Sequence, residues 1–388
     1  MNSGKLFIPL LAGVLFACAP EKPALPPPPP APVPVEVVPE PVVPARDTAL
    51  DQVARFVAGM PQTEDSPYSF LEQEPAWQKF KADMDSGWAK MNRARLDSMR
   101  AWRDREVAPK LKDSLWLFYP FSGPDFLHAH VLFPDAQGYI MAALEPVTQV
   151  PDLLSLESQQ RGMFLDTLGN SLRDVMGKSF FLTLNMRKHF RYIRGVLPVF
   201  FFFLARTDHE MMGLDFLVLD SAGNEKLVPF RELSGQATQG FRLAFRPAGG
   251  GKIRDIYYFS TDISDRGISS KKSGLVSFVE SRRPHNTFLK SASYLMHNDW
   301  FSNIRSLIVS GSAALVQDDT GIPYAFLKRQ YNGWMYGEYV RPVRPFHERD
   351  KQPDLDSAFR ISARSLPFSL GYHWTTKQQN YMLFTRKY

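Results

Sequence analysis

Two short strings in this 388-residue chain gather side chains that can do chemistry. The first runs Tyr119-Pro120-Phe121-Ser122-Gly123-Pro124-Asp125-Phe126-Leu127-His128-Ala129-His130. It offers a hydroxyl at Ser122, a carboxylate at Asp125 and imidazoles at His128 and His130. Histidine changes charge near neutral pH, so it can pass a proton or ligate a metal. On a helix Asp125 and His128 share a face at i, i+3; on an extended segment His128 and His130 point to one side. A zinc site needs a third protein ligand that the spacing does not identify. One packed and one exposed histidine is therefore the plainer expectation, with no metal and no cofactor.

The second string is Gln317-Asp318-Asp319-Thr320-Gly321-Ile322-Pro323-Tyr324. Asp318 and Asp319 can supply a general base or bind a sugar hydroxyl. Adjacent residues point apart on a strand, so a two-carboxylate mechanism must recruit a partner elsewhere, Glu145 or Asp152. Asp-Asp-Thr-Gly is also ordinary turn chemistry. Ser122, Asp125, His128, Asp318 and Asp319 are the candidate catalytic residues.

The standard signatures fail. Gly177-Lys178-Ser179 matches the end of a P-loop, but Leu172 stands where its first glycine is required. There is no His-Glu-x-x-His helix and no Gly-x-Ser-x-Gly elbow. Asp262, Asp265 and Gly267 do not follow the ligand order of a calcium loop and read as a turn.

Both strings must be held at the ends of regular elements. Leu115 to Tyr119 reads as a strand leading into the first, with Pro124 starting a helix and Asp125 in its first turn. Gly138 to Leu144 is the next strand. The second string is expected between strands at Ala313 to Val316 and Tyr324 to Lys328. Upstream of it, Asn286 to Met296 and Asp299 to Val309 read as two helices, the second started by Asn298 or Asp299. Leu156 to Tyr192 reads as helix broken near Gly177. The run Leu197 to Leu204 is too short to span a membrane and fits a buried central strand. Further strands are expected at Leu214 to Leu219, Phe241 to Arg246 and Asp255 to Thr261, with a closing hairpin of Ser369 to Trp374 and Asn380 to Arg386. Before all of these, Trp77, Phe80, Met84, Trp88, Met91, Leu96, Met99 and Trp102 recur mostly every three or four residues, the apolar stripe of a long helix begun at Pro75. Helices and strands come in blocks, which predicts an α+β fold: a helical segment at 46–112, then a mostly antiparallel or mixed sheet with helices at 113–388.

The first 45 residues belong to a different regime. An apolar run from Leu6 to Phe16 follows Lys5 and ends at Cys18, the only cysteine. That run has the length of a secretory signal and not of a membrane span. Leu15-Phe16-Ala17-Cys18 resembles the lipobox of bacterial lipoproteins, which implies cleavage after residue 17, acylation of Cys18 and an outer-membrane address, given Ala19 rather than Asp. Pro20 to Ala45 is proline-rich, with five prolines in a row at Pro26 to Pro30. Such a segment favours extended polyproline II and forms a stalk of ~80 Å at most. The formal charge of +6 is too diffuse for nucleic-acid binding. The densest basic stretch, Arg187 to Arg194, is interleaved with apolar residues like the face of an amphipathic helix.

The two strings, with Leu289-Lys290-Ser291-Ala292-Ser293-Tyr294-Leu295-Met296-His297, resemble a family of secreted or lipid-anchored bacterial proteins. The resemblance covers roughly Leu115 to the C-terminus. It implies an extracytoplasmic setting and no particular activity. The expectation is a membrane-anchored envelope protein whose domain binds an extracytoplasmic polymer or protein, or, as the alternative, a hydrolase of envelope polysaccharide or peptidoglycan. A binder should show an exposed aromatic surface; an enzyme should bring the two strings together around a perturbed carboxylate or imidazole.

Overall fold

The computed structural model describes residues 45–387, apart from 112–113, 181–192, 194, 236–237, 271–272, 344–345, 347–349 and 376–377. Cys18, the stalk and nearly all of the basic stretch at 187–194 lie outside the described residues. Ten strands form one sheet: β1 (Leu117–Pro120), β2 (Tyr139–Ala143), β3 (His209–Leu219), β4 (Glu225–Leu227), β5 (Gln239–Pro247), β6 (Arg254–Ser260), β7 (His285–Leu289), β8 (Ser312–Gln317), β9 (Tyr331–Gly337) and β10 (Asn380–Arg386). Their spatial order is β4-β3-β5-β6-β2-β1-β7-β8-β10-β9. The five central strands, β6 to β8 in that order, are parallel, and both flanks are antiparallel. The class is α+β, with a mixed sheet.

Alternation along the strands feeds two cores. Leu117 and Tyr119 of β1 face one with Tyr139, Met141, Phe288 and Val316; Phe118 faces the other with Ile140, Ala142, Leu289 and Leu315. Both faces being covered explains why β1 and β2 are almost wholly apolar and why even the polar residues His285, Asn286 and Thr287 of β7 are buried.

The first core is covered by α1 (Thr48–Val57), α2 (Pro75–Met91), α3 (Asp97–Trp102), α4 (Phe126–Leu132), α5 (Ser158–Lys178) and α6 (Leu197–Arg206). Pro75 opens α2 as expected. The stripe takes a five-residue step from Met91 to Leu96, and there the helix makes a π turn at Asn92–Leu96; a second π turn, Arg103–Val107, covers the five-residue step from Trp102 to Val107. A π turn adds one residue per turn, so each keeps the apolar face turned inward. Trp102 is fully buried, its ring 5.1 Å from Tyr336 and 5.4 Å from Phe368. Among the described residues no helix is long and apolar enough to cross a membrane.

Several expected elements change type. Leu197 to Leu204 is helix α6, not a strand: Val199 to Leu204 are all fully buried. A helix wrapped on every side by core has no polar face, so its sequence cannot be told from a central strand by periodicity. Each such side chain contributes roughly 1.5–3 kcal/mol by leaving water. His285–Leu289 is strand β7, followed by a 3₁₀ turn at Ala292–His297, where a helix from Asn286 was expected. Tyr324–Leu327 is a short helix and the strand follows it at β9. The closing segment is no hairpin: Gly371–Thr375 is a 3₁₀ turn, and β10 inserts between β8 and β9.

Candidate functional site

In the parallel block the chain runs β1, β2, β6 toward one side, then crosses to β7 and β8 on the other side of β1. The reversal lies between β1 and β7, and in open sheets of this kind ligands bind beyond the carboxyl ends of the strands at such a switch point. The first string leaves the end of β1, Lys290 and Ser291 leave the end of β7, and the second string leaves the end of β8. The fold therefore delivers both strings to one edge of the sheet.

Phe121 and Gly123 both take positive φ (58° and 52°), which turns the chain sharply off β1. Asp125 follows as the N-cap of α4, one residue earlier than the expected first-turn position. Its Oδ1 accepts from His128 Nδ1 at 2.7 Å and from the His128 backbone N–H at 3.4 Å. Oδ2 accepts from the Tyr119 hydroxyl at 3.0 Å and from the Lys290 ammonium. Lys290 also donates to the Ser179 carbonyl at the end of α5, and the Ser179 hydroxyl accepts the Gly371 N–H at 2.8 Å. Arg95 donates to the carbonyls of Val175, Met176 and Gly177 just before it. Gly177-Lys178-Ser179 thus closes a helix, whereas a P-loop opens one.

The turn after β8 is tied by Gln317, whose side chain accepts the Ile322 N–H at 2.9 Å and donates to its carbonyl at 2.8 Å. A Cβ on Gly321 would stand 2.3 Å from that Gln317 oxygen, which accounts for the glycine. Inside the turn, Asp318 Oδ1 accepts the Thr320 N–H at 2.9 Å and the Thr320 hydroxyl. Asp319 pairs with His373 Nε2 at 2.6 Å, and its N–H donates to Asn380 Oδ1 at 2.9 Å. Asp318 and Asp319 therefore have separate partners, as adjacent residues should.

Asp125, His128, Lys290, Asp318, Asp319, Thr320 and His373 are buried, and the protonation of the titratable ones follows from their partners. Burial would raise Asp125, but His128 and Lys290 outweigh it and hold the carboxyl at about 2. Burial pushes His128 down to about 4 against the pull of Asp125, and it lowers Lys290 likewise. Burial, then the neighbouring Asp319, push Asp318 up to about 6 despite His373 and Thr320. His373 is raised, because the bond and charge of Asp319 exceed its burial. The phenols of Tyr119 and Tyr381 rise far above their usual range through burial and the carboxylates beside them.

Five buried polar atoms here have no protein partner: Ser122 Oγ, His128 Nε2, Ser291 Oγ, Asp318 Oδ2 and Tyr381 OH. The arrangement can move protons. With Asp125 ionised, His128 Nδ1 is the donor of their bond, the Lys290 Nζ standing 3.2 Å from the same nitrogen, and this tautomer leaves Nε2 unprotonated, the disposition of a general base. Asp318 offers a free oxygen that is ionised or protonated near neutral pH.

The candidate residues sort as follows. Asp125 and His128 share a face and touch; His130, half-buried, turns away to line a separate cavity with Trp88, Arg103 and Arg206, 3.0 Å from the Tyr139 hydroxyl and 4.8 Å ring to ring from His209. The His128–His130 metal pair is thereby excluded as a chelating pair, since two residues on a helix point about 200° apart. Among the described residues no three His, Cys, Asp or Glu side chains gather as a metal would require. Glu145 ends near β2, three strands from β8, and Asp152 lines a cavity of about 500 Å³ that includes none of these residues, so neither partners Asp318. Asp265 is a cap: it accepts the N–H groups of Ser302 and Asn303 at 3.1 and 2.9 Å, the role expected of Asn298 or Asp299. Sequence reasoning missed Lys290, Ser291, Ser179, Gly371 and His373. The available signal was the lysine and two serines just after Phe288-Leu289, the apolar end of β7. No protein-family model matches the chain, and no curated protein matches its sequence.

Proposed function

We propose that this chain is an extracytoplasmic hydrolase, held at the outer membrane by an acylated Cys18 and a proline-rich stalk, that acts on an envelope polysaccharide or on peptidoglycan. One observation carries the reading: Asp125 with its partner His128, and Asp318, drawn from two distant strings, stand on either side of Lys290 at a sheet switch point, with His128 Nε2 and Asp318 Oδ2 unpartnered. Two carboxylates whose surroundings drive their pKa values apart, about 2 and about 6, are the usual basis for dividing acid–base roles. In this reading Asp125 orients His128, while His128 and Asp318 exchange protons with the reacting bond. Beside them runs a series of half-buried rings suited to a polymer: Phe180 to Tyr372 at 5.2 Å, Tyr372 to Tyr294 at 6.2 Å, Tyr294 to Phe346 at 6.3 Å and Phe346 to His297 at 4.5 Å.

Purified signal-less protein is incubated with isolated peptidoglycan and with envelope polysaccharide, and soluble fragments are measured. Release that disappears in Asp318→Asn is expected. The same ring series supports the second reading, a binding module, and cosedimentation with either polymer without fragment release would favour it. Incorporation of labelled fatty acid into the wild type but not into Cys18→Ser tests the anchor separately.

A further inference from the structure

We infer that Ser291 is a nucleophile, so that the bond this site breaks is an acyl bond, an ester or amide, in preference to a glycosidic one. The inference rests on the hydrolase reading and goes further by naming the attacking atom and the substrate class.

Ser291 has φ 61° and ψ −103°, a conformation that side-chain-bearing residues rarely adopt. It stands one residue beyond Lys290 at the carboxyl end of parallel β7, in a sharp strand-to-helix turn. Nucleophilic serines of acyl hydrolases occupy such strained turns because the geometry lifts Oγ clear of the strand end. The Gly-x-Ser-x-Gly pattern usually encoding that turn is replaced by Lys290-Ser291-Ala292, so the sequence conceals it.

Local bonding does not explain the strain. Thr320 and Ser293 hydroxyls approach the Ser291 carbonyl, each at 3.5 Å, and its own Oγ is buried without a partner. The neighbouring hydroxyls of Ser179, Ser293 and Thr320 all have partners. Gly371 shows what Oγ faces. A Cβ on Gly371 would meet Asp318 Oδ2 at 2.9 Å, Lys290 Cγ at 3.3 Å and Ser291 Oγ at 3.5 Å. The two unpartnered oxygens, one a hydroxyl and one a carboxylate, thus border the same point, which is too tight to admit even a Cβ on Gly371.

The step balances with these groups and water alone. As Ser291 Oγ bonds to the acyl carbon, its proton passes to the Asp318 carboxylate and the carbonyl π pair moves onto the carbonyl oxygen. That pair returns as the bond to the leaving oxygen or nitrogen breaks, and the leaving atom takes the proton from Asp318. Water then attacks the acyl-serine, gives one proton to Asp318, and the acid departs as Ser291 recovers its own. Lys290 turns its Cγ to this point, while its ammonium is held by Asp125 and the Ser179 carbonyl.

The test treats signal-less full-length protein with a fluorophosphonate probe, which reacts with activated serines, and separately with p-nitrophenyl acetate. One adduct on the peptide bearing Ser291 is expected, with Ser291→Ala losing the adduct and at least ~10³-fold of the ester turnover. Ser291→Gly, which suits the positive φ, should behave the same and guards against a folding defect in the alanine variant. An adduct elsewhere, or ester turnover surviving in both variants, overturns the assignment. Polymer cleavage without adduct or ester turnover overturns Ser291 but leaves the hydrolase reading standing. Absence of all three in folded protein overturns both.

Discussion

Asp125 and Asp318 are both fully buried, both lie just beyond the carboxyl end of a parallel strand, and both border Lys290, yet one is held at about 2 and the other pushed to about 6. The difference lies in donors. Asp125 receives two cationic or polarised side chains, a phenol and a backbone N–H; Asp318 receives only Thr320, on one oxygen, and has Asp319 as its neighbour. Burial raises any carboxylic acid, and hydrogen bonds to the charged form lower it again. The carboxylate with every position filled is a support; the one with an open oxygen is where a proton can be exchanged.

Breaking the filled site should have the largest effect. Asp125→Asn keeps the size and leaves the Lys290 ammonium buried against a neutral amide, at a cost of about 3–5 kcal/mol by urea denaturation. The double change Asp125→Asn, Lys290→Met should recover much of that loss. Unchanged stability in the single variant would mean that the charge pair does not hold the site.

Stability against pH separates the two carboxylates by sign. His128, His209 and His285 are each lowered by burial to about 4, so between pH 6.5 and 4 the unfolded chain binds more protons and acidification destabilises the fold. Asp318, raised to about 6, binds its proton more tightly when folded, so over pH 6 to 4 its contribution runs the other way. Asp319, His373 and Lys290 are the charged groups around it. Asp318→Asn should therefore be more stable than wild type at pH 7, by about 1–3 kcal/mol, with the advantage gone near pH 4. Denaturation curves at four pH values check this, and a constant difference would assign the effect to packing.

The smallest expected effect sharpens the same contrast among hydroxyls. Ser122 Oγ is buried without a partner, so Ser122→Ala should leave stability unchanged or raise it, by up to about 1 kcal/mol. Ser179→Ala, which removes the acceptor of the Gly371 N–H, should cost about 1 kcal/mol. Equal effects in thermal melts would show that the bond from Gly371 carries no weight.

Much of the local structure was legible. The stripe ending at Trp102 follows from spacing, though the π turns that interrupt the helix were not anticipated, and β1, β2, β5 and β6 follow from apolar runs bounded by turn residues. Elements packed on all sides were not legible: α6 and β7 expose no polar face, so no periodicity distinguishes helix from strand. The two strings were recognisable as unusual because each concentrates Asp with Pro and Gly. Their junction was not, since it depends on Lys290 reaching Asp125 across 165 residues and on the crossing from β6 to β7. The strain at Ser291 is a backbone property, imposed by the sheet and the turn around it.

The most direct test is a titration of ¹³C-labelled aspartate side-chain carboxyls by NMR, in wild type, Asp318→Asn and Asp125→Asn. One carboxyl titrating near pH 6 and missing from Asp318→Asn is expected, together with one that stays ionised down to about pH 2 and is missing from Asp125→Asn. Two ordinary titrations near pH 4 at these positions would contradict the division of roles on which the proposed chemistry stands.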